Sequence, residues 1–326
     1  MAPPHSGFFQ WVITHWWSEL SPPVTYPPQT VTPDLKKLHT PAHTPQLTWV
    51  GHSTVLLQMD GLNLLFDPIF SEYASPFPPL GPKRYQPPGV ALKDLPHIDV
   101  VMISHNHYDH MDLPSLRALA HQKGGPPWFL VPLGDRHWFL ENIGEHSLRT
   151  RVRELNWDQH ATLMGNSGPV ECHFDAVQHW STRTLFDKDR TLWGSWAILS
   201  PDFRFWFSGD LGYSNDTTDI GRKYGHFDLA AIAIGSYQPH WYMKPYHISP
   251  VESVKVLEEV HAQQAIGIHW GTFPLSDEGP DQAPQDLDIA LMSAHIPFSR
   301  FFVLRPGQTY FWSASTTHPP LNPPAP

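Results

Sequence analysis

The sequence predicts an α/β fold in which two mixed β-sheets pack face to face with helices outside. Two observations carry that expectation. Short β-branched and aromatic runs recur along residues 47–312, and each half of that stretch runs through strands before turning to helices. No internal repeat and no uninterrupted apolar run of about 18 residues points instead to a solenoid or a membrane span.

Leu47–Val50 and Thr54–Met59 lead through the hairpin dipeptide Asp60-Gly61 into the apolar run Leu62–Phe66. Ile98–Ser104 is a continuous β-branched run of the kind that fills a buried strand; a histidine-dense loop and a helix over Leu113–Gln122 follow. Further strands are expected at Trp128–Leu133, Arg151–Trp157, His160–Met164, Val170–Val177, Leu192–Leu199 and Arg204–Ser208. The pattern then alternates: helix Thr218–Tyr224, strand Leu229–Gly235, helix Pro250–Ala262, strand Ala265–His269, helix Pro284–Ala294 and a hairpin over Phe301–Trp312.

Ahead of this domain, which is expected over residues 47–316, residues 1–46 read as an aromatic helix and a proline-rich strap. Phe9, Val12, Ile13, Trp16 and Leu20 fall on one helical face bordered by Trp11 and Trp17. Residues 8–20 would therefore dock on the domain or lie in a membrane interface as a peripheral contact. The scarcity of lysine and arginine there favours docking. Residues 317–326 form a proline-rich tail that is expected to fray.

The charge, 21 − 31 = −10, with only 16% charged residues, excludes a general nucleic-acid binder, because no basic field gathers phosphates. A single cysteine, Cys172, excludes an internal disulfide framework and a multi-cysteine zinc ribbon. With no secretory signal pattern, a cytoplasmic chain, membrane-associated if residues 8–20 lie in an interface, is the expectation.

The strongest chemical signal is His105-Asn106-His107-Tyr108-Asp109-His110, directly after a buried strand. Three histidines and a carboxylate on so tight a loop can offer two nitrogens to one cation and an oxygen and a nitrogen to a second. His179, Asp210 in Ser-Gly-Asp, and His269 also follow predicted strands, where distant segments meet at one sheet edge.

With Asp67, these residues resemble the metallo-β-lactamase fold family, an αββα sandwich of binuclear metal hydrolases. The resemblance implies that His105, His107 and His179 hold one zinc ion, that Asp109, His110 and His269 hold the other, and that Asp210 bridges them. Asp67 would orient a ligand through a hydrogen bond. Iron or a mixed pair also suits imidazole and carboxylate donors. Two such cations can lower the pKa of water towards about 7, which supplies a nucleophile at neutral pH.

Blocks outside the ligands are similar to the N-acyl-phosphatidylethanolamine-hydrolysing phospholipase D family. They include Asp67-Pro-Ile-Phe70, Gly81-Pro-Lys-Arg84, Gln178-His-Trp180, Leu192-Trp-Gly-Ser-Trp196 and Ile268-His-Trp-Gly-Thr-Phe273. That resemblance implies a zinc phosphodiesterase acting on N-acyl-phosphatidylethanolamine or a related glycerophospholipid, with phosphatidic acid and an N-acylethanolamine as products. Asp109, Asp210 and His247 would be catalytic, His247 assisting the phosphoryl oxygens or the leaving group. Lys83, Arg84, Tyr108, Trp180 and Tyr246 are candidate substrate contacts, Tyr246 standing where animal members have glutamine. Phe70, Tyr73, Phe77, Trp180, Trp241 and Tyr242 are candidates for an acyl-chain groove. The metal ligands alone would equally fit a lactonase or other carbonyl-ester hydrolase, or an iron-dependent redox relative.

Overall fold

In the computed structural model, which describes residues 27–40, 44–143 and 149–313, fourteen strands form two seven-stranded mixed sheets. The aromatic helix expected over residues 8–20 and the tail over residues 317–326 lie outside the described residues. Strands β1 (Gln46–Gly51), β2 (Thr54–Met59), β3 (Leu62–Phe66), β4 (Val100–Met102), β5 (Trp128–Pro132) and β6 (Val152–Leu155) run side by side in chain order. β7 (Gln159–Met164), β8 (Pro169–Asp175), β9 (Ser195–Leu199), β10 (Arg204–Phe207), β11 (Phe227–Ala233), β12 (Ala262–Ile268) and β13 (Phe301–Val303) make the second sheet, also in chain order. β14 (Thr309–Phe311) returns to the first sheet beside β1.

Alternation along the strands sorts their side chains between two cores. Val55, Leu57, Leu64, Phe66, Val100 and Met102 point between the sheets, where they join Phe174, Trp196, Phe205 and Phe207 of the second sheet. Their neighbours Leu56, Leu65 and Val101 point outward onto helices α2 (Leu113–Ala120) and α3 (Arg136–Ile143), with Leu116 and Phe139 beneath them. On the second sheet, α6 (Pro250–Glu259) and α7 (Gln282–Ala294) supply Val256, Leu257, Leu287 and Leu291. The remaining helices are α1 (Leu35–Leu38), α4 (Asp216–Tyr224) and α5 (His240–Met243).

Local chemistry sets the helix starts. Asp112 accepts from the Ser115 amide at 3.2 Å to cap α2. Ser249 and Glu252 form a reciprocal capping box ahead of Pro250 at the start of α6.

One expectation is corrected. Phe301–Trp312 is not a hairpin: β13 pairs parallel with β12, and β14 pairs antiparallel with β1 in the other sheet. The intervening turn is claimed from outside, since the Gly307 amide donates to the Trp49 carbonyl (2.7 Å) and the Val31 amide donates to the Pro306 carbonyl (2.9 Å). Those bonds turn the chain across from one sheet to the other. Helices α1, α3 and α5 were not anticipated from the sequence.

Candidate metal centre

The ends of β3, β4, β8, β10 and β12 meet at one edge of the sandwich and deliver Asp67, His105–His110, His179, Asp210 and His269. Gly209 makes this approach close. It adopts φ +58, and a Cβ there would lie 2.8 Å from both the Gly194 carbonyl oxygen and Ser104 Cβ. Asp210 is thereby carried under the histidine loop.

Four overlapping sets of donor atoms result, including one of Asp210, His247 and His269, and two of the sets carry the expected ligands. His105, His107 and His179 form one, with His105 Nε2 and His107 Nδ1 2.8 Å apart. Asp109, His110 and His269 form the other, joined by His52. Asp210 Oδ2 lies between the groups. It is 3.1 Å from Nε2 of both His110 and His269, 3.8 Å from His105 Nε2 and 3.9 Å from His179 Nε2.

The residues behind the donors fix their rings. The Asp67 carboxylate, wholly buried, is 2.8 Å from His110 Nδ1 and accepts from the Ser104 amide (2.7 Å) and hydroxyl (2.6 Å). His179 Nδ1 donates to the Tyr246 carbonyl at 2.9 Å, which leaves Nε2 facing the cluster. Such outer contacts set tautomer and ring orientation in metal sites.

These buried atoms suit cations. Nε2 of His107, His110, His179 and His269 and Oδ1 of Asp210 have no hydrogen-bond partner, although buried polar groups are ordinarily paired. Imidazole nitrogens and carboxylate oxygens are the donor set of zinc and iron. Two adjoining groups sharing Asp210 are consistent with a binuclear site.

The electrostatics divide the histidines. Burial pushes His105 and His179 well below the usual imidazole value, and His107 down to about 4. Burial also acts against charge on His110 and His269, but Asp210 and Asp109 overcome it. They raise His110 well above its ordinary value and His269 to about 9. Burial pushes the two carboxylates upward as well, and the facing histidines hold both well below the usual range. Without cations, protons balance the carboxylate charge.

The other sequence-predicted residues divide into those at the cluster and those away from it. His247 Nδ1 lies 3.9 Å from Asp210 Oδ2, as close as His179 Nε2, and has no partner. Trp180 packs edge-on to His107 with ring centres 4.6 Å apart, and Tyr246 tilts against Trp180 at 5.6 Å. Tyr108 donates its hydroxyl to the Arg183 carbonyl at 2.7 Å, under a guanidinium 4.1 Å from its ring. Lys83 pairs with Glu72 of its own loop in solvent (2.9 Å). Arg84 is buried, donates to the Ile69 carbonyl and lies over the Phe273 ring. Of the groove candidates, Phe77 and Trp241 are largely exposed, whereas Phe70 packs against the outer core.

Sequence reasoning missed His52. It sits in the turn between β1 and β2, buried, with Nε2 2.9 Å from Asp109 Oδ2. Its only local signal is the run Gly51-His52-Ser53-Thr54 between two predicted strands.

The model of the β-lactamase superfamily domain matches residues 62–270. The chain belongs to the metallo-β-lactamase superfamily. N-acyl-phosphatidylethanolamine-hydrolyzing phospholipase D 1 of Caenorhabditis elegans is 40% identical to it over 249 residues, which is 76% of this chain and 69% of that one. The mitochondrial N-acyl-phosphatidylethanolamine-hydrolyzing phospholipase D of Saccharomyces cerevisiae is 34% identical over 234 residues, covering 71% of this chain and 48% of the yeast protein. Among solved structures, the isothiocyanate hydrolase from Delia radicum gut bacteria superposes with TM-score 0.64 at 16% identity, covering 82% of this chain and 99% of its own. The metallo-β-lactamase fold protein YhfI of Bacillus subtilis gives 0.54 at 15% identity, with coverage of 82% and 99%. At such identities the structures speak for the fold. Family and donor clusters together make this superfamily member a metal-dependent hydrolase. No described helix is long and apolar enough to cross a membrane.

Proposed function

We propose that the protein is a phosphodiesterase of phospholipase D type that hydrolyses N-acyl-phosphatidylethanolamine or a closely related glycerophospholipid. The observation that carries this reading is the similarity to the nematode enzyme over 249 residues, far beyond the donor positions that any hydrolase of the superfamily would share. The donor set fits two divalent cations, for which His105, His107 and His179 would form one nest and Asp109, His110 and His269 the other, with Asp210 common to both. Bound there, they supply a water acidic enough to attack at neutral pH and positive charge against an anionic diester.

The chain's own residues contribute orientation and hydrogen bonding. Burial holds His247 down to about 4, so at neutral pH it is an uncharged imidazole. Its single N–H serves as a donor to a phosphoryl oxygen and not as a source of a whole proton. Trp180 and Tyr246, packed on each other beside His107, offer an apolar wall to the glycerolipid. In the reaction a water oxygen bonds to phosphorus and the bond to the ethanolamine oxygen breaks. The proton given up by water ends on that oxygen.

Hydrolysis in ¹⁸O-water tests the reading. Label should enter phosphatidic acid and be absent from the N-acylethanolamine. Label in a released fatty acid means attack at a carbonyl, and rapid lactone opening with no phospholipid turnover means a lactonase; either result overturns the proposal.

A further inference from the structure

We propose that His52 is a positioning residue of the second donor group: its Nε2–H donates to Asp109 Oδ2 and fixes that carboxylate for a divalent cation shared with His110, His269 and Asp210. The inference rests on the metal-dependent reading of the site and is independent of which ester the enzyme cleaves.

The main chain holds His52 firmly. It takes a left-handed φ of 53 in the turn after Gly51. Its amide donates to Thr272 Oγ1 at 2.7 Å, and its carbonyl accepts from the His269 amide at 3.0 Å and from the Trp49 indole at 2.8 Å. The turn is thus stapled to the end of β12, the segment that carries His269. Both residues are located by one connection.

Packing then fixes the ring. The His52 imidazole is 2% exposed and lies between the rings of His269 (4.2 Å), His110 (5.2 Å) and Phe273 (5.3 Å). This leaves Nε2 2.9 Å from Asp109 Oδ2, a normal hydrogen-bond length. The same oxygen lies 3.3 Å from His110 Nε2 and 3.7 Å from His269 Nε2. His52 therefore grips Asp109 at the oxygen that faces the other donors.

A donor role is favoured over direct ligation by counting. Asp109, His110, His269 and Asp210 already offer four donors, and a catalytic site must keep a position open for water or substrate. A fifth protein ligand would close it. The arrangement also repeats what Asp67 does for His110 from behind, since ligating carboxylates, like ligating imidazoles, need an outer partner to hold their direction.

Two measurements on the full chain decide the matter. In zinc-loaded protein with nitrogen-15 histidine, His52 Nε2 should carry a directly bonded, hydrogen-bonded proton, assigned by its disappearance in His52→Gln. An unprotonated Nε2, or scalar coupling from cadmium-113 to that nitrogen in cadmium-loaded protein, makes His52 a ligand and overturns the proposal. In chelator competition, His52→Ala should weaken the second equivalent of zinc by about 10- to 100-fold and leave the first unchanged. His52→Gln, whose amide nitrogen reaches to about the place of Nε2, should recover most of that loss. Unaltered zinc binding in His52→Ala, or no recovery in His52→Gln, refutes a positioning role. If His52→Ala does not fold, the wild-type spectrum and the zinc affinity of His52→Gln still decide.

Discussion

Two parts of this molecule cluster histidine with carboxylate, and only one of them is built for metal. On the β7–β8 pair, His160 stacks on His173 across the strands with ring centres 4.7 Å apart, and His173 Nε2 lies 2.9 Å from Glu171. The histidine–carboxylate pair lies within one hairpin, with His173 edge-on to the Tyr224 ring of α4, and the Glu171 carboxylate is 44% exposed. The pair is open to solvent on its Glu171 side, and it forms no metal-like set among the described residues. At the strand-end cluster the donors come from segments far apart in sequence, the side chains are buried, and several donor atoms have no partner. The number of histidines is thus a poor guide. What distinguishes the site is desolvated donors converging with nothing but each other to bind.

The comparison can be broken or sharpened by experiment, beginning with its centre. Asp210 Oδ2 lies within 3.9 Å of donors in both groups, so Asp210→Asn should lower turnover by at least about 10²-fold, a few kcal/mol of barrier, with the fold intact. Full activity would remove Asp210 from the centre. A smaller effect is expected at Asp67, which braces His110 from behind. Asp67→Asn should weaken zinc binding by about 10- to 100-fold, read by chelator competition; unchanged affinity would make Asp67 a plain turn residue.

Protonation should separate the two clusters further. In the metal-free protein His110 lies well above its ordinary value and His269 at about 9, so both are charged at pH 7. A cation needs their nitrogens unprotonated. Zinc loading near pH 7 should therefore expel about two protons, measurable by calorimetry in buffers of different ionisation enthalpy, and apparent affinity should rise towards pH 9. Binding without proton release contradicts the assignment. Since the folded pKa of His269 exceeds its unfolded value, its stabilisation is complete below about 6.5 and is lost as pH rises through about 9. Zinc should consequently raise the melting temperature more at pH 9 than at pH 7. The smallest effect belongs to the hairpin: His173→Ala should leave zinc content unchanged and alter stability by no more than about 1 kcal/mol, because its pair with Glu171 is half in solvent.

Much of this was legible before any coordinates. The run His105–His110 is local, so its capacity for two cations follows from six adjacent residues, and the strand pattern around it fixed where it would sit. The hairpin expected at Phe301–Trp312 failed for a reason local pattern does not contain. Two strand-like runs joined by Arg305–Gln308 can pair with each other or with any open sheet edge, and here β12 and β1 offer edges. Burial against these neighbours outweighs the short loop closure of a hairpin.

By itself, then, the sequence determined the residue chemistry of the site, the succession of apolar strand-forming runs and a net charge of −10. It determined these because each depends on neighbours along the chain or on totals. The bridging place of Asp210 and an orienting role for Asp67 were implied by the family resemblance, whereas only the tertiary structure decided that the ligand Asp67 braces is His110 and that His52, one histidine among 22, reaches Asp109 from 57 residues away. A contact of that span carries no local periodicity. It exists because the β1–β2 turn is bonded to the end of β12 in the opposite sheet, and sheet packing alone brings those ends together.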